Sequence, residues 1–390
     1  MHTVPRRVAG LSLIELMIAL LIGIMLVLGM VQVFAASRAA YSLSEGLGRV
    51  QENGRFALDF LQRDIRMAGH FGCVNDQAHM RNTPSGLATT FGAHPGLDFF
   101  TSIQGYEAGG SAPGEVLTVP ATLATGSTDY SPALPAEIAA ATANRVNGSD
   151  ILALRFLAPE GVPVTAIGGT AAAPVFSFDS ARWDILRSGV ENPGLFGVAD
   201  CLNAVVFQAA AVDPGGSVTA GSTNPLNASP TFTKLFTAGQ ATLHRAESVV
   251  YYVGVSNGRP SLFRVRFTAA PNGNLVAQNQ ELLEGIENMQ FLYGQDRQLD
   301  PARAPTGYID RQLDAAGVQT SVAAAPEGWR RVGLVQLGLL AVSPERAVSA
   351  QAEDDNRLTA LGVEYQTPDD GRYRAVYQST IALRNRLYGN

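Results

Sequence analysis

The sequence predicts an α+β protein in which one long N-terminal helix packs on a mostly antiparallel β-sheet with large loop insertions. Three observations predict this class. An apolar run occupies the N-terminus, an amphipathic helical pattern continues it, and short β-rich segments between turn signals fill most of the remaining chain. A chain of 390 residues can form one large or two modest domains.

The apolar run extends from Leu16 to Ser37 without a charged residue. As a helix it would measure about 33 Å, which is enough to cross a bilayer core of about 30 Å. A ten-residue leader, 1–10, precedes it and carries Arg6 and Arg7. The positive-inside rule places such a leader in the cytoplasm and the body of the chain on the other side of the membrane.

Beyond the apolar run, hydrophobic residues continue at helical spacing. The stripe consists of Leu43, Leu47, Val50, Ala57, Leu61 and Ile65. We therefore expect one helix from about Leu11 to about Ala68, with a transmembrane half over 11–37 and an amphipathic half over 38–70 that packs on the sheet. Three glycines, Gly46, Gly48 and Gly54, would each weaken this helix by up to about 1 kcal/mol relative to alanine.

The remainder, 71–390, is predicted to be a β-rich globular domain outside the cytoplasm. The expected strands are 115–119, 150–157, 175–179, 204–210, 248–256, 261–268, 289–293, 329–342 and one within 372–387. Residues 281–288 are predicted to form a short helical turn. Three low-complexity stretches, 105–128, 163–174 and 209–230, are predicted to be surface loops.

Glu15 is unusual because it lies at the edge of the apolar helix. A carboxylate there costs several kcal/mol unless it is paired, protonated or close to the interface. A simple membrane anchor has no use for such a residue. Glu15 is therefore a functional candidate.

The run Gly10-Leu11-Ser12-Leu13-Ile14-Glu15-Leu16 resembles the N-terminus of type IV pilins and type II secretion pseudopilins. The resemblance implies that prepilin peptidase cleaves after Gly10 and that Leu11 is then N-methylated, although family members usually have Phe or Met there. It also implies that Glu15 meets the N-terminal amine of a neighbouring subunit. Cleavage would remove Arg6 and Arg7 and change the net charge from −6 to −8. An ordinary secretory signal cleaved after Ala35 and a plain single-pass anchor are the alternatives.

Segments further along the chain resemble the PilW branch of minor pilins. They are 64–73, 148–152, 199–208, 260–264, 283–294, 329–332 and 380–386. The resemblance implies a pilin-like fold and a structural role in priming type IV pilus assembly and in the tip complex. The implied partners are other minor pilins, the major pilin, prepilin peptidase, the inner-membrane assembly platform and a large tip adhesin. The implied location is the inner membrane, with a cytoplasmic leader and a periplasmic body, and then the pilus at the cell surface.

Three other functions remain open on the sequence. A J-type pseudopilin of a type II secretion system has the same leader and a similar fold. A membrane-anchored periplasmic enzyme would need a cleft of convergent titratable groups. A DNA-uptake pilin would need a basic surface, for which the C-terminal arginines Arg372, Arg374, Arg384 and Arg386 are the nearest candidate.

The two cysteines of the chain are Cys73 and Cys201. In an oxidising compartment two cysteines of one globular body usually pair, so we expect a disulfide between them. Two separately buried thiols are the alternative.

No catalytic residue, metal or cofactor is predicted. The chain has no nucleophile elbow, Walker loop, dinucleotide fingerprint or His-Glu-x-x-His motif, and its acidic balance argues against nucleic-acid binding. The histidines His2, His70, His79, His94 and His244 are scattered and are expected to be local polar surface. The repeated Asp-Arg-Gln-Leu-Asp, at 296–300 and 310–314, and the pairs Asp354-Asp355 and Asp369-Asp370 are expected to be solvated turns rather than calcium or acid/base sites.

Overall fold

The structure is a computed structural model that describes residues 10, 12–74, 87–221, 225–228, 236–300, 303–323, 325–347 and 357–385. The helices are α1 Leu13–Met67, α2 Ala136–Ala141, α3 Trp183–Arg187, α4 Ala315–Thr320 and α5 Ala325–Arg330, with 3₁₀ turns at Pro95–Leu97 and Ser180–Arg182.

The strands in this part of the chain are β1 Leu87–Thr89, β2 Ile103–Ala108, β3 Val116–Thr118, β4 Tyr130–Ser131, β5 Ile151–Leu157, β6 Val162–Pro163, β7 Ala166–Thr170, β8 Ala173–Ser177, β9 Leu195–Ala199, β10 Ala204–Asp213, β11 Ser217–Ala220, β12 Thr242–Ser256, β13 Arg259–Thr268, β14 Val276–Glu284, β15 Ile286–Asp296, β16 Ile309–Leu313, β17 Val332–Val342, β18 Arg357–Ala360, β19 Val363–Gln366 and β20 Arg374–Ala382.

Helix α1 is continuous over 55 residues, or about 82 Å. Ser12 caps its N-terminus, and the chain leaves the helix at Ala68 and turns at Gly69, whose φ is 76°. These bounds lie within two residues of the predicted ones. In the described part of the chain, α1 is the one helix that is long and apolar enough to span a membrane.

The second half of α1 packs on the body through one stripe of buried residues: Gly46, Val50, Gly54, Ala57, Leu61 and Ile65. The predicted stripe is confirmed from Val50 onward, whereas Leu43 and Leu47 are only partly buried. Two of the three glycines belong to the stripe, because they allow the helix to approach the sheet closely. A Cβ atom on Gly54 would overlap the ring of Tyr377 on β20, and one on Gly46 would lie 3.1 Å from the Cβ of Ala347.

The strands form three sheets, which are antiparallel except for the pairs β1–β10 and β3–β19. The largest has 13 strands in the order β4-β2-β5-β12-β9-β10-β11-β8-β7, with β13, β14, β6 and β1 paired off this path. The second has the order β16-β15-β17-β20, and the third the order β18-β19-β3. One core cluster joins α1 to the first two sheets, with Trp329 packed edge-on against Tyr293 at 5.0 Å. The fold is therefore α+β, as predicted.

The predicted helical turn at 281–288 is wrong. Strand β14 pairs with β13 in the large sheet, and β15 pairs with β17 in the four-stranded sheet, so the chain passes from one sheet to the other at Gly285. Gly285 has a φ of 86°, a conformation that glycine adopts without steric cost. Its N–H donates to Pro260 O, and its carbonyl accepts from Val342 N–H. The pairing of β14 with β13 and of β15 with β17 thus outweighs the local helical propensity of residues 281–288.

Other expectations need smaller corrections. Trp329 lies in α5, and the predicted central strand begins at Val332. The low-complexity stretches contain strands, including β7 and β11. These strands are short, and their small residues also fit a loop, so composition did not distinguish the two. Neither repeat is a simple solvated turn, since Asp296 is buried at the end of β15 and residues 309–313 form β16.

The helix glycines give a matched test of the packing. Gly54→Ala should lower the free energy of unfolding by about 1–3 kcal/mol, because its methyl group has no room against Tyr377. Gly48→Ala should raise it by up to about 1 kcal/mol, because nothing lies within 4 Å and alanine favours the helix. Urea unfolding of the detergent-solubilised full chain, followed by tryptophan fluorescence, measures both. Equal effects of the two changes would contradict the close approach.

Candidate functional site

The first half of α1 is a large unpartnered apolar surface. Its large hydrophobic side chains between Leu13 and Phe34 are 51–79% exposed, and the first buried residue of the helix is Gly46. An apolar surface of this size marks a membrane or protein contact. The surface is rigidly connected to the body because α1 continues without a break into the buried stripe.

Glu15 lies in the first turn of α1 and forms a capping box with Ser12. The Ser12 hydroxyl accepts the Glu15 N–H at 3.2 Å, and Glu15 Oε2 accepts the Ser12 N–H at 3.5 Å. This arrangement satisfies two N–H groups that the helix leaves open and puts a negative charge at the positive end of the helix dipole. The second contact is at the long limit, so the exposed carboxylate keeps capacity for another donor.

Of the other residues in the predicted N-terminal motif, Gly10 is exposed, and a Cβ there would meet nothing within 4 Å. Leu11 and the leader 1–9 lie outside the described residues. The structure therefore leaves the peptide bond after Gly10 and the methylation of Leu11 as predictions.

Cys73 and Cys201 form a disulfide, with an S–S distance of 2.06 Å. It joins the segment after α1 to the turn between β9 and β10. In that turn Asp200 Oδ1 accepts the N–H groups of Leu202 and Asn203. The bond closes a loop with a sequence separation of 128, for which the chain-entropy model gives a stabilisation of about 4–5 kcal/mol.

His70, His94 and His244, the histidines that the structure describes, belong to no cluster of metal ligands. In the described ranges no group of three or more His, Cys, Asp or Glu side chains could hold a metal ion. His244 is buried, contrary to the surface expectation, with its ring nitrogens bonded to Ala158 O and Thr242 Oγ1 at 2.9 Å each. Burial lowers the pKa of His244 to about 4. His2 and His79 lie outside the described residues.

A buried ion-pair network holds the C-terminal strand. Arg374 on β20 pairs with Glu287 at 2.7 Å and with both oxygens of Asp370 at 2.8 Å. The expectation that Asp369-Asp370 is merely a solvated turn is therefore wrong for Asp370. Arg374 is only 2% exposed, so it cannot contribute to the basic surface that the C-terminal arginines were considered for. Arg386 and the pair Asp354-Asp355 lie outside the described residues.

Two carboxylates that the sequence analysis missed lie together in the core. Asp150, at the start of β5, accepts the backbone N–H groups of Ala108 and Phe291 at 3.0 and 2.9 Å. Glu107, at the end of β2, has one oxygen 3.4 Å from the Ser111 hydroxyl and the other buried without a hydrogen bond. Burial, followed by the nearby Asp150, raises the pKa of Glu107. The sequence offers no clear indication of this pair, because Glu107 lies in the stretch 105–128, which is predicted to be a surface loop.

The C-terminal part of the chain matches a known family. Residues 250–385 match the family model described as type IV pilus-assembly protein W, PilW. Over these residues the chain is similar to the PilW family. The matched PilW segment runs from β12 to just beyond β20 and includes the entire four-stranded sheet on which α1 packs. Neither the curated proteins nor the solved structures gave a significant match.

The buried acid pair predicts a pH dependence of stability. Because the pKa of Glu107 is raised on folding, the folded chain binds a proton that the unfolded chain has released, so stability falls as pH rises above the unfolded value of about 4.3. The fall continues at up to about 1.4 kcal/mol per pH unit until Glu107 ionises in the folded chain. Glu107→Gln should flatten the slope between about pH 7 and pH 9.

Urea unfolding at several pH values measures this slope. Glu191→Gln is the matched control, since Glu191 is exposed and should leave the slope unchanged. A slope that is the same in Glu107→Gln and in the unmodified chain would show that Glu107 is ionised in the folded protein.

Proposed function

We propose that the chain is a minor pilin of a type IV pilus, a structural subunit that acts in priming pilus assembly and in the tip complex. The observation that carries the proposal is one rigid element with two surfaces. Helix α1 exposes an apolar surface over residues 13–34 and buries its other half against a sheet that lies in the PilW match. The proposed partners are other minor pilins, the major pilin, prepilin peptidase, the assembly platform and a large tip adhesin.

The proposed location is the inner membrane before assembly. The apolar half of α1 would span the bilayer, with the leader in the cytoplasm and the body in the periplasm. After assembly the same surface would be covered by helices of neighbouring subunits, in a pilin-like arrangement. Both environments remove the apolar surface from water, so the change costs little hydrophobic free energy.

Glu15 supplies the specificity of this step in the proposal. A lone carboxylate at the edge of the lipid is unfavourable, and a neighbouring N-terminal amine would neutralise it. Cleavage after Gly10 creates that amine on Leu11. The capping contact with Ser12 is weak enough that the carboxylate could accept a stronger donor without uncoiling the helix.

The PilW match favours a pilus over the secretion-system alternative, the J-type pseudopilin, which shares the N-terminal motif. The identity of the genes beside this one separates the two systems. Pilus assembly genes are expected, and an operon of type II secretion genes would favour the alternative.

Processing is tested on the mature N-terminus. Mass spectrometry of the membrane fraction from the native host should find a chain that begins at methylated Leu11. Gly10→Leu should leave the leader attached. The control Gly23→Leu should be processed normally, because Gly23 lies inside α1, away from the cleaved bond, and its surroundings are as open as those of Gly10. A chain beginning at Ala36 would instead indicate an ordinary secreted protein.

The role of Glu15 is tested against its role as a helix cap. Glu15→Ala should be cleaved normally and should reduce surface pili at least about tenfold, since an ion pair removed from a low-dielectric environment costs more than about 1.4 kcal/mol. Ser12→Ala removes the capping hydroxyl and keeps the carboxylate, so it should retain piliation. Equal loss in both variants would mean that Glu15 acts only on the helix end.

A further inference from the structure

A cavity of about 610 Å³ lies between the last turns of α1 and the large sheet. Neither the apolar half of the helix nor the disulfide contributes to its lining. Its charged lining consists of five arginines, Arg63, Arg66, Arg245, Arg264 and Arg266, and three acids, Asp59, Asp64 and Glu247. The whole chain has a net charge of −6, so this local excess of positive charge is opposite in sign to the protein.

The strand register explains why the arginines meet here. Strands β12 and β13 pair so that Tyr251 is opposite Arg264 and Val249 is opposite Arg266. Side chains alternate across a strand, so these four residues lie on one face of the sheet. The Tyr251 hydroxyl donates to Asp64 of α1 at 2.5 Å, which shows that this face is turned towards the helix.

The two carboxylates deeper in the cavity, Asp64 and Glu247, already pair with arginines of the sheet. Asp64 lies 3.6 Å from Arg264. Glu247 pairs with Arg245 and, at 3.3 Å, with Arg266. Within the described residues, Arg63 and Arg66 form no salt bridge, although Arg63 attracts the Asp64 carboxylate at longer range. Both arginines are exposed on α1 at the mouth of the cavity. The mouth therefore presents two guanidinium groups that can still bind an anion.

The surroundings of the mouth favour a protein over a lipid or a small ligand. Phe60 lines the cavity and is 41% exposed, and Phe56, one turn earlier on α1, is 45% exposed. Arginine and aromatic residues together are typical of protein–protein contacts. The cavity also lies about 37 Å along α1 beyond Ser37, which is outside the reach of lipid headgroups around the apolar segment.

We propose that this cavity receives an acidic segment of another pilus subunit. Carboxylates of that segment would bind Arg63 and Arg66 at the mouth, and its apolar side chains would cover Phe56 and Phe60. Guanidinium groups suit this task because they bind carboxylates through paired hydrogen bonds. The identification of the partner as a pilus subunit rests on the proposed function. The charge and the apolar character of the surface are observed independently of it.

The test is photo-crosslinking of the full chain in the native host. p-Benzoylphenylalanine at Phe60 should give a product with another pilus subunit, and mass spectrometry should map the attachment to a segment rich in Asp and Glu. The same probe at Tyr308, an aromatic residue that is 71% exposed and does not line the cavity, should not capture that segment.

Charge reversal then tests the arginines. Arg63→Glu with Arg66→Glu should reduce the product about tenfold, whereas Arg55→Glu, an exposed arginine on the same helix outside the cavity, should leave it within about twofold. Acid-to-lysine changes in the mapped segment should restore the product with the reversed chain. A product that is insensitive to both reversals would overturn the proposal.

Two further outcomes separate this inference from the proposed function. A probe at Leu26 in the apolar half of α1 should also capture pilus subunits. Capture at Leu26 without capture at Phe60 would overturn the cavity proposal and leave the minor-pilin proposal standing; capture of pilus subunits at neither position would overturn both. Thermal stabilisation of the detergent-solubilised chain by inorganic phosphate, lost in the double reversal and without any product at Phe60, would assign the cavity to a small anion and overturn the partner.

Discussion

The packing of the second half of α1 on the sheets is the constraint on which the rest of the structure depends. A helix that is apolar at one end and attached to a domain at the other needs a junction that does not bend. The stripe from Gly46 to Ile65 provides it, because its two glycines remove the side chains that would hold helix and strands apart. Asn53 and Gln62 add hydrogen bonds to Glu284 O and the Ser379 hydroxyl at the flanks of this contact.

Two clusters of buried charged residues in the body are stabilised differently. Arg374, Glu287 and Asp370 form a compensated network in which every carboxylate has a guanidinium partner. Glu107 and Asp150 instead lie close together, and in the described part of the chain no arginine bonds to either carboxylate. Asp150 accepts the backbone N–H groups of Ala108 and Phe291. The first arrangement suits a wide pH range, whereas the second makes the fold sensitive to alkaline conditions.

Much of the architecture could be predicted from the sequence, because the main helix and several strands have a clear hydrophobic periodicity. Helix α1 and the hairpin of β12 and β13 came from clear 3.6- and 2-residue patterns with glycine turns. Strands such as β7 and β11 were not predicted, since they are only four or five residues long and lie in stretches whose Gly, Ala, Ser and Thr content is typical of loops. The break at Gly285 could not be predicted either, because its meaning depends on which sheet each flanking segment joins.

Of the functional surfaces, the sequence indicated Glu15 but not the arginine cavity. Glu15 drew attention because a charge in an apolar run is costly, and that argument needs no tertiary structure. The arginine cavity needs it, because its residues come from positions 63–66, 245 and 264–266 and meet only through strand register. A sequence can reveal one charged residue in an unfavourable position, such as Glu15. It cannot reveal several surface-type arginines that come together only after folding.

The disulfide has a mechanical consequence. Cys73 lies six residues beyond the end of α1, and its bond to Cys201 fastens that end to β9 and β10 of the large sheet. A pull along the axis of α1 therefore cannot detach this end of the helix from the body, because the bond holds it covalently. It must slide the whole buried stripe at once, and the load passes through a covalent link into the widest sheet. Shear of this kind resists force far better than peeling, so the covalent link makes the body a firm handle for its long helix.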